Sequence, residues 1–342
     1  MNNISGSYQT ERPLYMQPES KKKYTVGLLS NPLSGWNQKG MRFVREAVNG
    51  HPQICHQEAS EPSEIALALA EFSYKKIGII AVNGGDGTIH AVLTELFRQS
   101  DGGPIPLLTI LRSGTASMIA RDVGLNGSPE RSLKRLVKWI DRGRANTAIV
   151  KRPILKVETA SGREPFYGMF FGTAGICQGI EFCLTRVHTK GLGGELAAGV
   201  TLARSLLSIA GGKSSFLFPV PTSIALNTGS IEKRDVLSII ISTLERLFLG
   251  LRPYWGDEKN APLHYTEMGA HPRGMLRVLP FLLRGRKNRF LSPEHGYLSR
   301  NIQKARLEFS GSFSLDGELY TSDAGHQRLT VSKGGTASFL KL

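Results

Sequence analysis

The sequence predicts an α/β domain followed by a β-rich domain. Between residues 24 and 147, short apolar runs alternate with helical patterns, which is typical of a parallel sheet with helices between its strands. Beyond Arg144, strand-like segments such as ILKVE, VLSIIIST and ARLEFSGSFSLDGEL dominate, with one or two helices between them. The chain length of 342 residues is typical of about two domains.

Three strand-to-loop transitions organise the α/β part. The buried strand YTVGLLS at 24–30 continues directly into the loop NPLSG at 31–35. The strand KKIGIIAV at 75–82 is followed by a glycine-rich loop, and the segment at 106–124 repeats the plan of strand, loop and short helix. A helix is predicted directly after the glycines because apolar residues recur there at helical spacing, namely Ile89, Val92, Leu93, Leu96 and Phe97.

The charge balance is strongly basic, with 43 Lys and Arg against 28 Asp and Glu and a net charge of +15. Such a chain favours an anionic partner, which includes nucleic acid, an anionic membrane surface and phosphate-rich ligands. No recognised nucleic-acid-binding module is present, so nucleic acid is not an expected partner. The three cysteines have no CxxC spacing, which indicates neither a zinc site nor a disulfide framework and fits a reducing cytoplasm.

Neither export nor membrane insertion is expected. Residues 1–22 lack the apolar core of a signal peptide and are predicted to be a flexible polar tail. The most apolar long stretch, at 192–210, carries Glu195 and Arg204, so no transmembrane segment is predicted. The densest basic run, at 284–289, follows the apolar LRVLPFLL, which suits docking on an anionic membrane or a solvated basic helix end.

The glycine-rich loop has the features of an anion-binding site. Gly84, Gly85 and Gly87 allow backbone N–H groups to face a ligand, and the following helix directs its positive end to the same place. Asp86 would repel a phosphate unless a divalent cation lay between them, so this residue predicts Mg²⁺ beside a nucleotide. An Asn-Gly hairpin turn is the alternative, but a helix rather than a strand follows.

Four segments, in this order, resemble the diacylglycerol kinase family of lipid kinases, which includes sphingosine and ceramide kinases. They are NPLSG at 31–35, GGDGTIHAV at 84–92, SGTA at 113–116 and LDGE at 315–318. The order and spacing are similar to those of the small soluble bacterial members, and the resemblance extends from about Tyr24 to the end of the chain. GGDGT alone is shared with the related NAD kinases, whereas its combination with a late LDGE is much more specific.

The resemblance implies a Rossmann-like α/β ATP-binding domain at 23–147 and a β-sandwich lipid-substrate domain at 148–328. It also implies a terminal strand at 329–342 that returns to the first domain, with the active site in the interdomain cleft. ATP and Mg²⁺ are the implied cofactors. The implied nucleotide-binding residues are Asn31, Pro32, Ser34, Gly35, Ser60, Gly84, Gly85, Asp86, Gly87, Thr88, His90, Gly114 and Thr115.

The catalytic residues implied by the resemblance are Asp316, Glu318 and Asp86. Either Asp316 or Glu318 would accept the proton of the attacking alcohol, and Asp86 would hold metal, with Asp257 as a second candidate metal ligand. Polar and apolar residues alternate from 307 to 315, so the sequence predicts a half-buried strand before these acids. The strand either continues, which places Glu318 on the same face as Asp316, or turns at Asp316-Gly317.

Two departures from the family pattern stand out. His90 and Ala91 occupy positions that are Asn and Glu in bacterial members. The histidine is similar to that of sphingosine kinases, which favours a sphingoid-type acceptor, although it could also be a partly exposed residue of the first helical turn. Ser117 and Met118 stand where the family has Asn and Asp.

The sequence therefore predicts an ATP-dependent lipid kinase that transfers the γ-phosphoryl group to a hydroxyl of diacylglycerol or of a sphingoid or ceramide-like lipid. The alternatives are NAD kinase-like phosphorylation of a soluble dinucleotide and a non-catalytic nucleotide- or lipid-binding protein. The expected location is the cytoplasm, at the inner face of an anionic membrane that presents the lipid substrate. A homodimer is the default expectation for the assembly.

Overall fold

The computed structural model describes residues 26–100, 102–114, 118–125, 127–142, 148–182, 217–247, 250–321 and 325–342. Within these ranges an α/β part precedes an all-β part, which confirms the predicted fold class. The Thr115 to Ser117 part of the SGTA loop lies outside the described residues, as does the polar tail.

Among the described residues, four parallel strands and five α-helices form the α/β part. In chain order they are β1 (Val26–Ser30), α1 (Arg42–Asn49), β2 (Ile54–Glu58), α2 (Pro62–Tyr74), β3 (Ile79–Gly84), α3 (Asp86–Ser100), β4 (Leu107–Arg112), α4 (Met118–Val123) and α5 (Pro129–Asp141). β1 pairs in parallel with β2 and β3, and β3 pairs in parallel with β4. Every residue of β1 and β3 is buried, as expected for a sheet covered by helices on both faces.

Local sequence signals explain where two of the helices begin. α2 starts with Pro62 at its first position and a capping box between Glu61 and Glu64. α5 starts after Ser128, whose hydroxyl accepts a hydrogen bond from the Arg131 N–H at 3.3 Å. Both caps satisfy N–H groups that the helices themselves leave without partners.

The all-β part consists of antiparallel pairs, with two described helices between the strands. Its elements are β5 (Ala148–Thr159), β6 (Phe166–Gly168), β7 (Phe170–Ala174), α6 (Gly175–Phe182), β8 (Val220–Leu226), β9 (Glu232–Ser242), β10 (Leu263–Gly269), α7 (Met275–Leu282), β11 (Tyr297–Ile302), β12 (Lys304–Ser310), β13 (Phe313–Leu315), β14 (Glu318–Tyr320) and β15 (His326–Lys341). Among the described residues, no helix is both long and apolar enough to cross a membrane.

β15 connects the two parts into one mixed sheet. It pairs antiparallel with β5 and β12, and Phe339 near its end pairs in parallel with Leu108 of β4. A shared hydrophobic core includes Phe97 of α3 together with Met169 and Phe339 from the β-rich part. The two parts are therefore packed against each other, although the domain boundaries given above remain a prediction.

The contact between α3 and β6 fixes the position of the candidate site. The Thr94 hydroxyl donates a hydrogen bond to the Tyr167 carbonyl at 3.0 Å and lies 3.1 Å from the Tyr167 N–H, whose hydrogen bond it accepts. Both bonds are buried, so each satisfies a backbone group that would be costly to leave unpaired. As a result, the face of α3 that carries Thr94 lies against β6, and His90 of the same helix contacts Tyr320 of β14.

Candidate active site

The loops that follow β1, β3 and β4 meet at one edge of the parallel sheet, where ligands of open α/β sheets commonly bind. The Asn31 N–H donates to the Asn83 carbonyl at 3.0 Å, which joins the first loop to β3. The Trp36 N–H donates to the Ser113 carbonyl at 2.9 Å, which joins the first loop to the third. These bonds bring the NPLSG, GGDG and SG segments together.

Thr88 is the centre of the side-chain contacts in this region. Asn31 donates an amide hydrogen bond to the Thr88 hydroxyl at 3.0 Å. The Ser34 hydroxyl lies 3.5 Å from the Thr88 hydroxyl and accepts the Gly85 N–H at 3.1 Å. A Cβ at Gly84 would lie 2.5 Å from the Thr88 Cβ, so close packing requires glycine there.

A buried polar layer beneath the loops was not identified from the sequence. The Asn83 amide donates to the Ser30 hydroxyl at 3.1 Å, and the Ser113 hydroxyl donates to the Asn83 side-chain oxygen. The Asn37 amide donates to the Asn31 carbonyl at 2.8 Å and to the Asn83 carbonyl at 3.1 Å. The available signal was the polar Asn83 directly between an apolar strand and the glycines.

Both carboxylate oxygens of Asp86 accept hydrogen bonds within the fold. It accepts hydrogen bonds from the Met118 N–H at 2.7 Å and the Ile119 N–H at 3.1 Å, at the first turn of α4. Burial raises the pKa of Asp86 to about 7 and the nearby Asp316 carboxylate adds to this shift, whereas the two N–H groups and Arg112 oppose it. Asp86 therefore joins the start of α3 to α4, and its metal role remains a prediction.

The acidic LDGE segment forms a two-residue turn between β13 and β14. Leu315 pairs with Glu318, and both turn residues have positive φ, 52° at Asp316 and 95° at Gly317. Asp-Gly suits this conformation because aspartate tolerates the left-handed region and glycine adopts it without steric cost. Of the two possibilities left open by the sequence, the structure has the turn.

The two carboxylates of this turn have opposite environments. The Asp316 side chain is fully buried and accepts hydrogen bonds from the Met169 N–H at 3.0 Å and the Phe170 N–H at 2.8 Å. Glu318 is exposed, and a Cβ at Gly87 would collide with its Oε1. The Glu318 carboxylate therefore lies directly against the glycine-rich loop, while Asp316 lies behind it.

A cleft of about 530 Å³ separates the two parts at this point. It is lined by Asn31, Ser34, Ser60, Pro62, Ile65, Gly85, Gly87, Thr88, His90, Ala91, Thr94, Glu95, Arg98, Phe166, Glu318 and Tyr320. Eight residues predicted from the sequence are among these, namely Asn31, Ser34, Ser60, Gly85, Gly87, Thr88, His90 and Glu318. The structure thus brings segments that are up to about 290 residues apart in the chain to one cavity.

Other predicted site residues do not line this cleft. Pro32, Gly35, Gly84, Gly114, Asp86 and Asp316 belong to the surrounding loops and turn. Asp257 has a highly exposed side chain that pairs with Lys287 at 2.5 Å. No cluster of three or more His, Cys, Asp or Glu side chains suited to a metal occurs in the described part of the chain.

Eight residues of the cleft wall were not predicted, among them Arg98, Phe166 and Tyr320. Arg98 follows His90 and Thr94 at intervals of four along α3, so helical spacing could have found it. Its guanidinium lies 5.6 Å from the Phe166 ring centroid. Tyr320 follows Glu318 by two residues, which places both on one face of β14.

His90 is buried, with 5% of its surface exposed, so the alternative of a partly exposed first-turn residue is wrong. Its Nε2 lies 2.6 Å from the Tyr320 hydroxyl, and its Nδ1 lies 3.5 Å from Oδ2 of Asp316. His90 therefore connects α3 both to the β13–β14 turn, at Asp316, and to the end of β14, at Tyr320.

Comparison with known proteins agrees with this geometry. Residues 25–145 match the sequence model of the diacylglycerol kinase catalytic domain. Over 62 residues the chain is 44% identical to the probable lipid kinase YegS of Shigella flexneri and of Escherichia coli O157:H7. That stretch covers 18% of this chain and only 20% of each relative's length. Over its α/β part, the chain is therefore similar to the diacylglycerol kinase family of lipid kinases.

Solved structures share the whole fold. A putative diacylglycerol kinase from Bacillus anthracis str. Sterne is similar with a TM-score of 0.62 at 16% identity, covering 92% of this chain and 96% of that chain. A second diacylglycerol kinase from the same organism gives a TM-score of 0.57 at 15% identity with the same coverage. The α/β part and the β-rich part are therefore arranged as in those proteins.

Proposed function

We propose that this protein is an ATP-dependent lipid kinase that transfers the γ-phosphoryl group to a hydroxyl of a membrane lipid, either diacylglycerol or a sphingoid or ceramide-like lipid. The observation that carries the proposal is the contact between Glu318 of the β-rich part and Gly87 of the glycine-rich loop. This contact brings an acidic side chain beside the loop that is proposed to bind the phosphates. Phosphoryl transfer depends mainly on positioning and charge stabilisation, which such a cleft supplies.

The phosphates of ATP are proposed to bind at the start of α3. Gly85, Gly87 and Thr88 line the cleft at this helix end, where the helix dipole favours negative charge. Asn31 and Ser34 border the same position, and Ser60 lies on the cleft wall before α2. Pro32, Gly35, Gly84, Gly114 and Thr115 are proposed to shape the surrounding loops.

Glu318 fits Mg²⁺ better than the predicted ligand Asp86 does. Mg²⁺ is commonly held by one or two carboxylates together with substrate phosphates and water. Within the described residues the Glu318 carboxylate has no hydrogen bond or ion pair, whereas both oxygens of Asp86 accept backbone N–H groups. When bound, Mg²⁺ would neutralise negative charge on the transferred phosphoryl group. Glu318 is therefore proposed as the residue that holds the metal, with Asp86 as the support of α4.

The lipid is proposed to be reached at an anionic membrane surface on the cytoplasmic side. The chain carries a net charge of +15, and Leu276 of α7 is 65% exposed. Arg284, Arg286 and Arg289 follow this helix and are exposed. Basic residues beside exposed apolar groups favour anionic lipid surfaces.

Transfer of label tests this proposal. Purified protein is incubated with γ-labelled ATP, Mg²⁺ and mixed micelles of diacylglycerol, ceramide or sphingosine, with NAD as a separate acceptor. We expect label in one lipid, and about 100-fold less with Glu318→Gln because charge stabilisation at the phosphates is lost. Glu294→Gln, at an exposed glutamate of a short helix before β11, is the matched control.

Two results would overturn the proposal. Label in NAD would identify a dinucleotide kinase. Binding of ATP without transfer to any acceptor would identify a nucleotide- or lipid-binding protein instead.

A further inference from the structure

A series of side-chain contacts leads from the buried core to the cleft through Asp316, His90 and Tyr320. Oδ2 of Asp316 lies 3.5 Å from Nδ1 of His90, and Nε2 of His90 lies 2.6 Å from the Tyr320 hydroxyl. The Asp316 and His90 side chains are 0% and 7% exposed. Tyr320 lines the cleft. The Asp316 carboxylate has no direct access to the cleft. Through His90 it is connected to the Tyr320 hydroxyl, which has such access.

The surroundings of His90 determine which ring nitrogen carries the proton. Nδ1 is buried and has no hydrogen-bond partner within the described residues, and the group that faces it is the Asp316 carboxylate. A lone pair on Nδ1 would face the negative oxygens of that carboxylate, whereas an N–H there is attracted to them. The neutral imidazole therefore carries its proton on Nδ1, which leaves Nε2 as an acceptor.

An accepting Nε2 in turn fixes the direction of the Tyr320 hydroxyl. At 2.6 Å the hydroxyl donates its hydrogen to Nε2. A tyrosine phenol carries its hydrogen at neutral pH. Its oxygen then has only lone pairs left for the cleft and accepts a hydrogen bond from a donor there.

Aromatic neighbours hold the Tyr320 ring in place. The ring centroid lies 5.0 Å from that of Phe313 in a stacked arrangement and 4.5 Å from that of Phe166. Contacts at these distances restrict rotation of the ring about its side-chain bonds. The acceptor oxygen is therefore fixed relative to Glu318, which is two residues earlier on the same strand face.

We propose that Asp316, His90 and Tyr320 are one positioning unit that presents an oxygen acceptor to a substrate hydroxyl in the cleft. This inference rests on the proposed kinase function and adds to it the residues that would accept a hydrogen bond from a substrate hydroxyl. The hydroxyl is either the alcohol of the lipid or a ribose hydroxyl of the nucleotide, since both are O–H donors. Alignment of an attacking alcohol with the γ-phosphate is a requirement of phosphoryl transfer.

The arrangement also explains why histidine at position 90 matters. A shorter side chain such as asparagine could not contact Asp316 and Tyr320 at the same time, because the two contacts use opposite edges of the imidazole ring. Histidine at 90 and tyrosine at 320 should consequently act as a pair. Their substitutions are expected to be non-additive, as for residues in one hydrogen-bonded network.

A spectroscopic measurement tests the tautomer without any catalytic readout. In the full-length protein labelled with ¹⁵N-histidine, His90→Asn assigns the signals of His90 by their disappearance. We expect the Nδ1–H tautomer in the wild type and its loss in Asp316→Asn. A proton on Nε2 in the wild type would overturn the proposal, whether or not the protein phosphorylates a lipid.

Kinetics and binding then identify the hydroxyl. Tyr320→Phe is expected to lower kcat/KM for the lipid about tenfold at unchanged ATP affinity if the lipid alcohol is the donor. If the ribose is the donor, ATP affinity falls about tenfold and 2′- and 3′-deoxy ATP reveal which hydroxyl is bound. Tyr74→Phe, at a tyrosine that is 87% exposed, is the matched control.

The double variant provides the deciding comparison. In a His90→Asn background, Tyr320→Phe should have much less effect than it has alone, because the hydroxyl is no longer oriented. Strictly additive effects, or no change in either ATP affinity or kcat/KM with Tyr320→Phe, would overturn the proposal. Failure of the wild type to label any lipid would instead refute the proposed function, since the tautomer and the ATP affinity would still be measurable.

Discussion

The two regions that face each other across the cleft contribute different chemistry. The glycine-rich region offers backbone N–H groups and neutral side chains, such as Asn31, Ser34 and Thr88, that are hydrogen-bonded to one another. The β13–β14 hairpin offers the Glu318 carboxylate, and the buried Asp316 carboxylate lies behind it. Backbone groups suit an anion of fixed shape, whereas carboxylates suit a metal or an O–H group. Neither region alone provides a complete site for the proposed phosphoryl transfer.

The first prediction concerns the contact between Gly87 and Glu318, which joins these two regions. In Gly87→Ala, the added methyl group would occupy the position of the Glu318 Oε1 and displace that carboxylate from the loop. We expect kcat to fall about 100-fold, as is typical when a positioned group at the phosphates is lost, with thermal stability close to the wild type. Steady-state kinetics and thermal unfolding measure both quantities.

Gly78→Ala is the control for this prediction. A Cβ at Gly78 has no atom within 4 Å, and the variant should keep wild-type kcat. An equally large loss of kcat in Gly78→Ala, or no loss in Gly87→Ala, would contradict the close contact of the two regions.

Much of this contrast was predictable from the sequence, and some was not. The strands, the glycine-rich loop and the α3 helix follow from local apolar patterns and glycine positions, because each depends on neighbours in the chain. The environment of Asp316 depends on the N–H groups of Met169 and Phe170, about 150 residues earlier, and that of Glu318 depends on Gly87. The link between His90 and Tyr320 joins residues separated by 230 positions. No local pattern encodes such contacts.

A second prediction concerns an ion pair that joins the α/β part to the β-rich part. Arg152 of β5 contacts Asp122 of α4 with its Nε and Nη2, at 2.9 and 3.4 Å from the two carboxylate oxygens. Asp122 is buried, so Arg152→Ala would leave a carboxylate without its partner. We expect a loss of about 2 kcal/mol in the free energy of unfolding, measured by urea denaturation.

Lys134→Ala serves as the comparison for the ion pair. Lys134 pairs with Glu130 on the surface of α5, where both side chains are more than half exposed. Such pairs add little to stability, so this variant should unfold like the wild type. Equal losses in the free energy of unfolding for the two substitutions would show that burial of Asp122 does not strengthen its ion pair with Arg152.

A further prediction is a pH dependence of stability that arises on the glycine-loop side. The pKa of Asp86 is about 7 in the folded protein against 3.8 for an unperturbed group. Between these values the folded state keeps a proton that the unfolded state has lost, so stability falls as pH rises through this window. Asp86→Asn should show a weaker fall when unfolding is measured from pH 4 to pH 8. A steeper fall in the variant would contradict the raised pKa.

We propose that the Glu318 carboxylate of the β-rich part completes the nucleotide site of the α/β part. The most direct measurement is ATP affinity with and without Mg²⁺ for the wild type, Glu318→Gln and the control Glu294→Gln. We expect Mg²⁺ to tighten ATP binding about tenfold in the wild type and the control but not in Glu318→Gln. The same Mg²⁺ enhancement in all three proteins would contradict it.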